Sequence, residues 1–225
     1  MLMNLKPTSL EDLIAATSLY RPGPASQIDT FVHNSNNPGD IKYDTPMLEP
    51  ILKNTYGCMV YQEQVMQIFR SLAGYSFGRA DVVRRAMSKK KHDVMERERT
   101  AFVDGCAKNN ISSSVANAIF DKMTDFASYA FNKSHAACYA LVAYRCAYLT
   151  SRFMAALLSS VLDNSNKVAR YIAECKRVGI RLAPPDINSS MKGFTAASDK
   201  VINYGMLGIK GVGNDFIEDI IKERQ

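Results

Sequence analysis

The stretch AACYALVAYRCAYL, residues 136–149, decides the predicted fold. It carries a single charged side chain, Arg145, in fourteen positions. A helix that is apolar on every side normally lies at the centre of a helical bundle, because each of its faces needs an apolar partner. We therefore expect residues 136–149 to form a buried central helix, which the run FMAALL at residues 153–158 would extend.

The segments on either side of this stretch predict further helices. Thr8 and Glu11 have the spacing of a capping box, and the prolines at positions 22 and 24 would end the helix that these residues begin. Apolar residues recur with helical periodicity in five more segments, at residues 61–74, 79–87, 93–108, 114–126 and 167–178. The body of the protein is therefore predicted to be all-α.

The last forty residues have a different pattern. Pro184-Pro185 interrupts the helical periodicity, residues 201–209 alternate loosely like a strand, and residues 216–221 resemble a short helix. We place a domain boundary at this break. The predicted fold is mainly α, with a multi-helix domain over residues 1–183 and a small mixed tail over residues 184–225.

The composition is that of an ordinary globular protein of 225 residues. Hydrophobic residues make up 47% and charged residues 22%, with 28 basic and 22 acidic side chains giving a net charge of +6. That excess weakly favours a polyanionic partner. The five cysteines form no CxxC pair and the three histidines are isolated, so neither a zinc site nor a disulfide framework is expected. We expect a reducing, cytoplasmic location and no membrane span.

Much of the positive charge is concentrated in one stretch. Residues 79–99 contain eight basic and four acidic side chains, and five of the basic residues crowd into positions 84–91. Adjacent like charges repel each other, so phosphates that neutralise them would stabilise this arrangement. The alternative is a solvated, charged turn between two helices, which is the commoner meaning of such a run.

A second candidate anion site is FNKSH, residues 131–135, directly before the apolar stretch. Asn132 or Ser134 can cap the following helix, which would leave backbone N–H groups free at its start. Those groups, the helix dipole, Lys133 and His135 would together attract an anion. An ordinary helix cap with an incidental lysine explains the same residues equally well.

The third candidate is GIKGVGN, residues 208–214, followed by an apolar-periodic helix. Glycines at this spacing let a hairpin turn approach a phosphate backbone, as in helix-hairpin-helix DNA-binding proteins, although a simple glycine-rich turn is an equal alternative. The sequence contains no Asp-x-Asp pair for two-metal chemistry and no G-x-S-x-G elbow. These residues alone predict an anion-binding helical protein without a recognisable catalytic centre.

Taken in order, seven motifs resemble one family, the bacterial DNA polymerase III alpha subunits, which are C-family replicative polymerases. The motifs are LYRPGP (19–24), TYG (55–57), VYQEQVMQ (60–67), RRAM with KKK (84–87 and 89–91), FNKSH (131–135), PPDIN (184–188) and IKGVG (209–213). The resemblance covers essentially the whole chain. It implies a fragment that starts just after the palm, comprises the fingers domain, and ends inside a helix-hairpin-helix module.

The resemblance also implies roles for individual residues. Residues expected to bind the incoming nucleotide are Arg84, Arg85 and Lys133, with Lys89 and His135 as secondary candidates. Residues expected to shape the base-pair pocket are Arg21, Tyr61, Gln62 and Gln64. Residues expected to contact DNA are Lys90, Lys91, Lys210, Gly211 and Gly213. No residue of this chain is expected to be catalytic or to bind a metal, because the family's magnesium-binding aspartates belong to the palm.

The implied function is therefore DNA-directed DNA polymerisation by a longer protein, with the isolated fragment inactive. The expected partners are template-primer DNA, deoxynucleoside triphosphates and Mg²⁺, and, through regions outside this chain, the sliding clamp and other replisome subunits. The alternative is a non-catalytic helical DNA-binding or scaffold module. One departure from the family pattern is that only Thr150-Ser151-Arg152 separate AYL from FMAALL, where the family has a longer stretch containing proline. Without that proline, one continuous helix is possible.

Overall fold

The computed structural model describes residues 1–21, 24–89, 92–127 and 129–224, and for His92 the backbone only. The chain divides into two compact units, Met1–Leu141 and Val142–Gln225. Its elements are mostly helical, with one small mixed sheet, so the predicted fold class is confirmed. In the described ranges, no helix has both the length and the apolar character needed to cross a lipid bilayer.

The first unit contains the following helices: α1 (Leu2–Leu5), α2 (Leu10–Leu19), α3 (Ile28–Asn36), α4 (Glu49–Leu52), α5 (Gln62–Ala73), α6 (Phe77–Ser88), α7 (His92–Ala107), α8 (Ser113–Ala127) and the beginning of α9 (Lys133–Tyr148). The second unit contains the end of α9, then α10 (Thr150–Ser160), α11 (Ser165–Arg177) and α12 (Asn214–Lys222), and the strands β1 (Arg181–Ala183), β2 (Thr195–Ser198) and β3 (Val201–Asn203). The helices predicted within residues 61–126 all form, with bounds shifted by no more than about two residues, which is the usual uncertainty of a helix end.

The larger core of the first unit lies between α5, α6, α7 and α8. The predicted apolar face of α5 is fully buried there, and it meets the rings of Phe102 from α7 and Phe120 from α8. The ring of Phe69 lies 5.2 Å from Phe102 and 6.2 Å from Phe120, in edge-to-face geometry that suits aromatic quadrupoles. Gly74 ends α5 with φ of +71°, a conformation that glycine adopts without strain.

The start of α2 corrects one expectation. Ser9, rather than Thr8, is the N-cap: its hydroxyl accepts from the backbone of Asp12, whose carboxylate in turn accepts from the backbone N–H of Ser9 at 3.0 Å. The capping box is therefore Ser9 and Asp12, one residue beyond the predicted pair. Glu11, the residue before Asp12, therefore takes no part in the capping box.

The second unit is built on a three-stranded sheet with the order β1-β3-β2. β1 pairs with β3 in parallel and β2 pairs with β3 antiparallel, and Ile202 at the centre is fully buried. Because β1 precedes residue 184 and its partner β3 follows it, the sheet crosses the boundary predicted at that position. The compact units accordingly divide at residues 141 and 142 rather than at 184.

The expectation of a buried central helix is wrong. In α9 only Ala136 and Ala140 are buried, whereas Tyr139, Val142, Tyr144 and Tyr148 are each more than half exposed. Periodicity reports that a face is apolar, but not whether this chain supplies the surface that covers it. Nor do α9 and α10 form one continuous helix, because Leu149 between them has ψ of +40°, outside the helical range.

Candidate nucleotide and DNA interface

A short backbone clip brings the starts of α5 and α9 together. Tyr61 and Phe131 form an isolated parallel bridge, in which Gln62 N–H donates to the Phe131 carbonyl at 2.9 Å. Phe131 N–H donates to the Val60 carbonyl at 3.3 Å, and the Gln62 side chain donates to the Ala130 carbonyl at 3.0 Å. The motifs VYQEQVMQ and FNKSH, which lie some seventy residues apart, are therefore adjacent in space.

Lys133, the first residue of α9, lies next to this clip. Its ammonium group is 2.9 Å from one carboxylate oxygen of Glu11 and donates to the other at 3.1 Å. The same nitrogen lies 5.4 Å from the centre of the Tyr61 ring, within range of a cation–π interaction. The Lys133 side chain is about one-third exposed (35%), so it is accessible to a ligand.

The backbone at the start of α9 is already engaged. Lys133 N–H donates to both carboxylate oxygens of Glu63, at 3.1 and 3.2 Å, and His135 N–H donates to the Asn132 side chain at 2.9 Å. Asn132 is therefore the cap, as one of the two predicted possibilities. The expectation that capping leaves these N–H groups free for an anion is wrong at Lys133 and His135.

Arg21 and His135 complete the group around Phe131. The Arg21 guanidinium lies 4.2 Å from the centre of the Phe131 ring and donates to the carbonyls of Ser18 and Tyr129, each at 2.9 Å. The His135 ring lies 5.4 Å from the Phe131 ring. We refer to Arg21, Tyr61, Gln62, Phe131, Lys133 and His135 as the Phe131 cluster. The fold brings together predicted residues from three separate parts of the sequence.

Gln64 is buried and binds the backbone of Tyr61, a member of the cluster. It is only 5% exposed, and its carbonyl oxygen accepts from the backbone N–H groups of Val60 and Tyr61 at 2.8 and 2.9 Å. Its amide nitrogen donates to the Thr55 hydroxyl at 2.7 Å and to the Ile51 carbonyl at 3.3 Å. All of these contacts hold the segment that leads into Tyr61, so they fix the position of the clip.

Tyr61 itself is buried, and its hydroxyl has no hydrogen-bond partner. Burial raises the pKa of this phenol well above its usual value, and the neighbouring carboxylates of Glu11, Glu63 and Asp12 raise it further. The surroundings of Lys133 are therefore rich in negative as well as positive charge.

The two arginines of the RRAM motif lie on α6 and share one carboxylate. Arg84 and Arg85 each place a guanidinium nitrogen 2.7 Å from Asp81, one on each oxygen. The hydrogen bond from Arg84 is the main reason that the pKa of Asp81 is below its usual value. The side chain of Arg84 is 14% exposed and that of Arg85 is 68% exposed, so Arg85 is the more available to a ligand.

Other cations of the same stretch are also paired. Arg79 contacts Glu98 at 2.9 Å and Arg99 contacts Asp121 at 2.5 Å, while Lys89 at the end of α6 is exposed. The basic run is therefore partly neutralised within the protein. Lys90 and Lys91 lie outside the described residues.

The glycine-rich turn of the second unit is exposed. Ile209 accepts from the N–H of Val212, and Gly211 between them has φ of +84°, which disfavours any residue with a side chain. Lys210 projects from this turn, and Gly213 is the N-cap of α12. A Cβ at Gly211 or Gly213 would meet open space, so another molecule can approach this backbone closely.

Among the described residues, no group of three or more His, Cys, Asp or Glu side chains is arranged to hold a metal ion.

Comparison with known proteins agrees with the motifs. Residues 1–110 match the model for the bacterial DNA polymerase III alpha subunit finger domain, and residues 179–225 match a helix-hairpin-helix motif. The DNA polymerase III subunit alpha of Chlamydia trachomatis is 48% identical over 99% of the chain, and those of Bacillus subtilis and Escherichia coli are 42% and 43% identical over all of it. The chain belongs to the bacterial DNA polymerase III alpha subunit family. It spans 18–20% of the length of these relatives.

The matched regions divide the candidate residues of this family member. The finger-domain match contains Arg21, Tyr61, Gln62, Gln64, Arg84, Arg85 and Lys89. The helix-hairpin-helix match contains Lys210, Gly211 and Gly213, whereas Lys133 and His135 lie between the two matches. Three carboxylate roles were not predicted from the sequence: Glu11 pairs with the Lys133 ammonium group, Glu63 accepts the Lys133 backbone N–H, and Asp81 pairs with Arg84 and Arg85. Only Asp81 had a local signal, since it lies one helical turn before both arginines.

Proposed function

We propose that this chain forms the fingers of a bacterial replicative DNA polymerase and holds the incoming deoxynucleoside triphosphate beside template-primer DNA. The observation that carries the proposal is the Phe131 cluster. Three segments distant in sequence converge there, with Lys133 beside the Tyr61 ring and with Arg21 and His135 beside the Phe131 ring. Convergence of this kind is what a binding site needs and what a merely solvated charge run lacks.

In this proposal the cations act on the triphosphate. Lys133, Arg85 and Arg84, with Lys89 and His135, offset the charge on the transferring and leaving phosphates. Arg21, Tyr61 and Gln62 shape the base-pair pocket, and Gln64 supports it from the core. Magnesium, bound by palm carboxylates of the longer protein, would neutralise the phosphates and activate the primer hydroxyl. The 225-residue chain alone is inactive as a polymerase.

The second unit would contribute contacts to DNA. The exposed turn at Gly211 offers backbone N–H groups to a phosphate, and Lys210 adds a positive charge. Lys90 and Lys91 belong to the same proposed DNA surface. The sliding clamp and other replisome subunits would bind elsewhere on the longer protein, which we expect to work in the cytoplasm.

A non-catalytic DNA-binding or scaffold module is the second candidate. It is favoured by the internal pairing of Arg84 and Arg85 with Asp81, and by the exposure of Lys210 and Gly211 in the turn of the second unit. In that case the chain binds duplex DNA and has no site for a free nucleotide.

Binding measurements on matched variants distinguish the two functions. Lys133→Ala and Arg85→Ala should each weaken binding of deoxyadenosine triphosphate about tenfold, the loss typical of one charge-assisted hydrogen bond. Lys122→Ala and Arg177→Ala are the controls, because Lys122 pairs with Asp44 across elements and Arg177 pairs with Glu174 one turn away, as Arg85 does with Asp81. Equal losses in test and control variants, or losses confined to duplex DNA with a steep salt dependence, would support the second candidate.

A further inference from the structure

Glu11, which has no role in the proposed function, forms an ion pair with Lys133. The two residues are 122 positions apart, and their pairing connects the start of α9 to the first turn of α2. Glu11 is the second residue of α2, and the helix ends one residue before Tyr20-Arg21. Lys133 and Arg21, two cations of the Phe131 cluster, therefore both depend on the placement of α2.

The charges around Lys133 nearly cancel in the absence of a ligand. Glu11 pairs with its ammonium group, and Glu63 accepts its backbone N–H. The positive side chains of the cluster are Lys133 and Arg21, and the two nearest carboxylates are those of Glu11 and Glu63. A polyphosphate that approaches Lys133 therefore competes with the Glu11 carboxylate for its ammonium group.

Glu11 is the carboxylate that can give way. Both side chains of this ion pair are partly exposed, 35% for Lys133 and 40% for Glu11, although the Glu11 oxygen nearest the ammonium group, Oε2, is itself buried. A pair of this kind changes an equilibrium constant by no more than about fivefold. A charge-assisted hydrogen bond to a phosphate is worth about tenfold or more, so the phosphate should prevail. Glu63, by contrast, binds backbone, which cannot turn toward a ligand.

We propose that Glu11 is a positioning residue that holds Lys133 over the Tyr61 ring and competes with the phosphates of the nucleotide for its ammonium group. Binding exchanges the Glu11 carboxylate for a phosphate oxygen, while the Ser9–Asp12 capping box keeps the first turn of α2 in place. The proposal rests on the proposed function and adds a residue that sets the affinity. Its distinctive consequence is that removing the charge of Glu11 strengthens nucleotide binding, which loss of a merely structural contact would not do.

The test measures the dissociation constant of deoxyadenosine triphosphate for the 225-residue chain and five variants, by equilibrium dialysis at fixed salt. Glu11→Gln should tighten binding about twofold to fivefold, and Glu11→Asp, which keeps the charge, should stay close to wild type. Lys133→Ala should weaken binding. In the double variant, Glu11→Gln should add less than about twofold to Lys133→Ala, because the competition acts through the lysine.

Asp44→Asn is the matched control. Asp44 pairs with Lys122 of α8, 2.7 Å away, so this variant also frees a lysine and raises the net charge by one, but neither residue belongs to the Phe131 cluster. Its dissociation constant should equal that of wild type. A similar gain from Asp44→Asn, or from Glu11→Gln in the absence of Lys133, would show a general charge effect and overturn the inference.

The remaining outcomes separate the inference from the proposed function. If Lys133→Ala weakens binding while Glu11→Gln leaves it unchanged or weakens it, the inference is wrong and the proposed function stands. If Lys133→Ala leaves binding unchanged, or wild type and Glu11→Gln both fail to bind the nucleotide, the proposed function is wrong and the inference falls with it.

Discussion

Removing the side chain of Gln64 is expected to destabilise the first unit strongly. Its carbonyl oxygen is the acceptor for the N–H groups of Val60 and Tyr61, and all three residues are buried. Each buried N–H left without an acceptor costs about 1–3 kcal/mol. Because some water can enter the space left by the side chain, we expect Gln64→Ala to lower the free energy of unfolding by about 2–4 kcal/mol.

Two further variants isolate the cause. Gln64→Leu fills most of the same volume but accepts no hydrogen bond, so it should cost about as much if the hydrogen bonds, rather than a cavity, are responsible. Gln67→Ala removes an exposed glutamine from the same helix and should change stability by less than about 0.5 kcal/mol. Urea denaturation followed by far-ultraviolet circular dichroism measures the loss, and hydrogen exchange should show lost protection at Val60 and Tyr61. Losses in both Gln64 variants no larger than that of Gln67→Ala would refute this reasoning.

Two other predictions concern acid stability and the exposed turn. Burial alone raises the pKa of Asp12, but hydrogen bonds from Tyr56, Thr8 and Ser9 outweigh burial and hold the pKa below its ordinary value of 3.8. Its stabilising contribution is therefore present above about pH 4 and lost as the pH falls further, so Asp12→Asn should flatten the pH dependence of melting below pH 4. Gly211→Ala should weaken duplex DNA binding and cost about 1 kcal/mol, because its φ is +84°. Gly213→Ala, where φ is −80°, should have the smaller effect in the same gel-shift and melting assays.

The sequence predicted the helices well where local signals marked them. The apolar face of α5 and its end at Gly74 follow from periodicity and from the need for a positive φ, and both are present. The predicted start of α2 differs from the observed start by one residue. Thr8–Glu11 and Ser9–Asp12 both fit the capping-box pattern, and only the backbone conformation decides between them.

The candidate site was predicted only in part, since its partners are remote in sequence. Local patterns identified Lys133 and the RRAM arginines, but the pairing of Lys133 with Glu11 depends on how α2 packs, which no local pattern contains. The wrong prediction that α9 is buried has a related cause. An apolar surface is a property of the segment, whereas its covering is a property of everything that folds around it.

The clip between Tyr61 and Phe131 also makes residues 61–131 a closed loop whose two ends meet. Gln62 N–H and the Phe131 carbonyl, 2.9 Å apart, join the entry and the exit of the four helices α5–α8. New termini opened at the α7–α8 turn would therefore leave both the clip and the contacts among Phe69, Phe102 and Phe120 in place. Residues inserted at the α7–α8 turn would likewise leave the Tyr61–Phe131 clip, and Lys133 beside it, where they are.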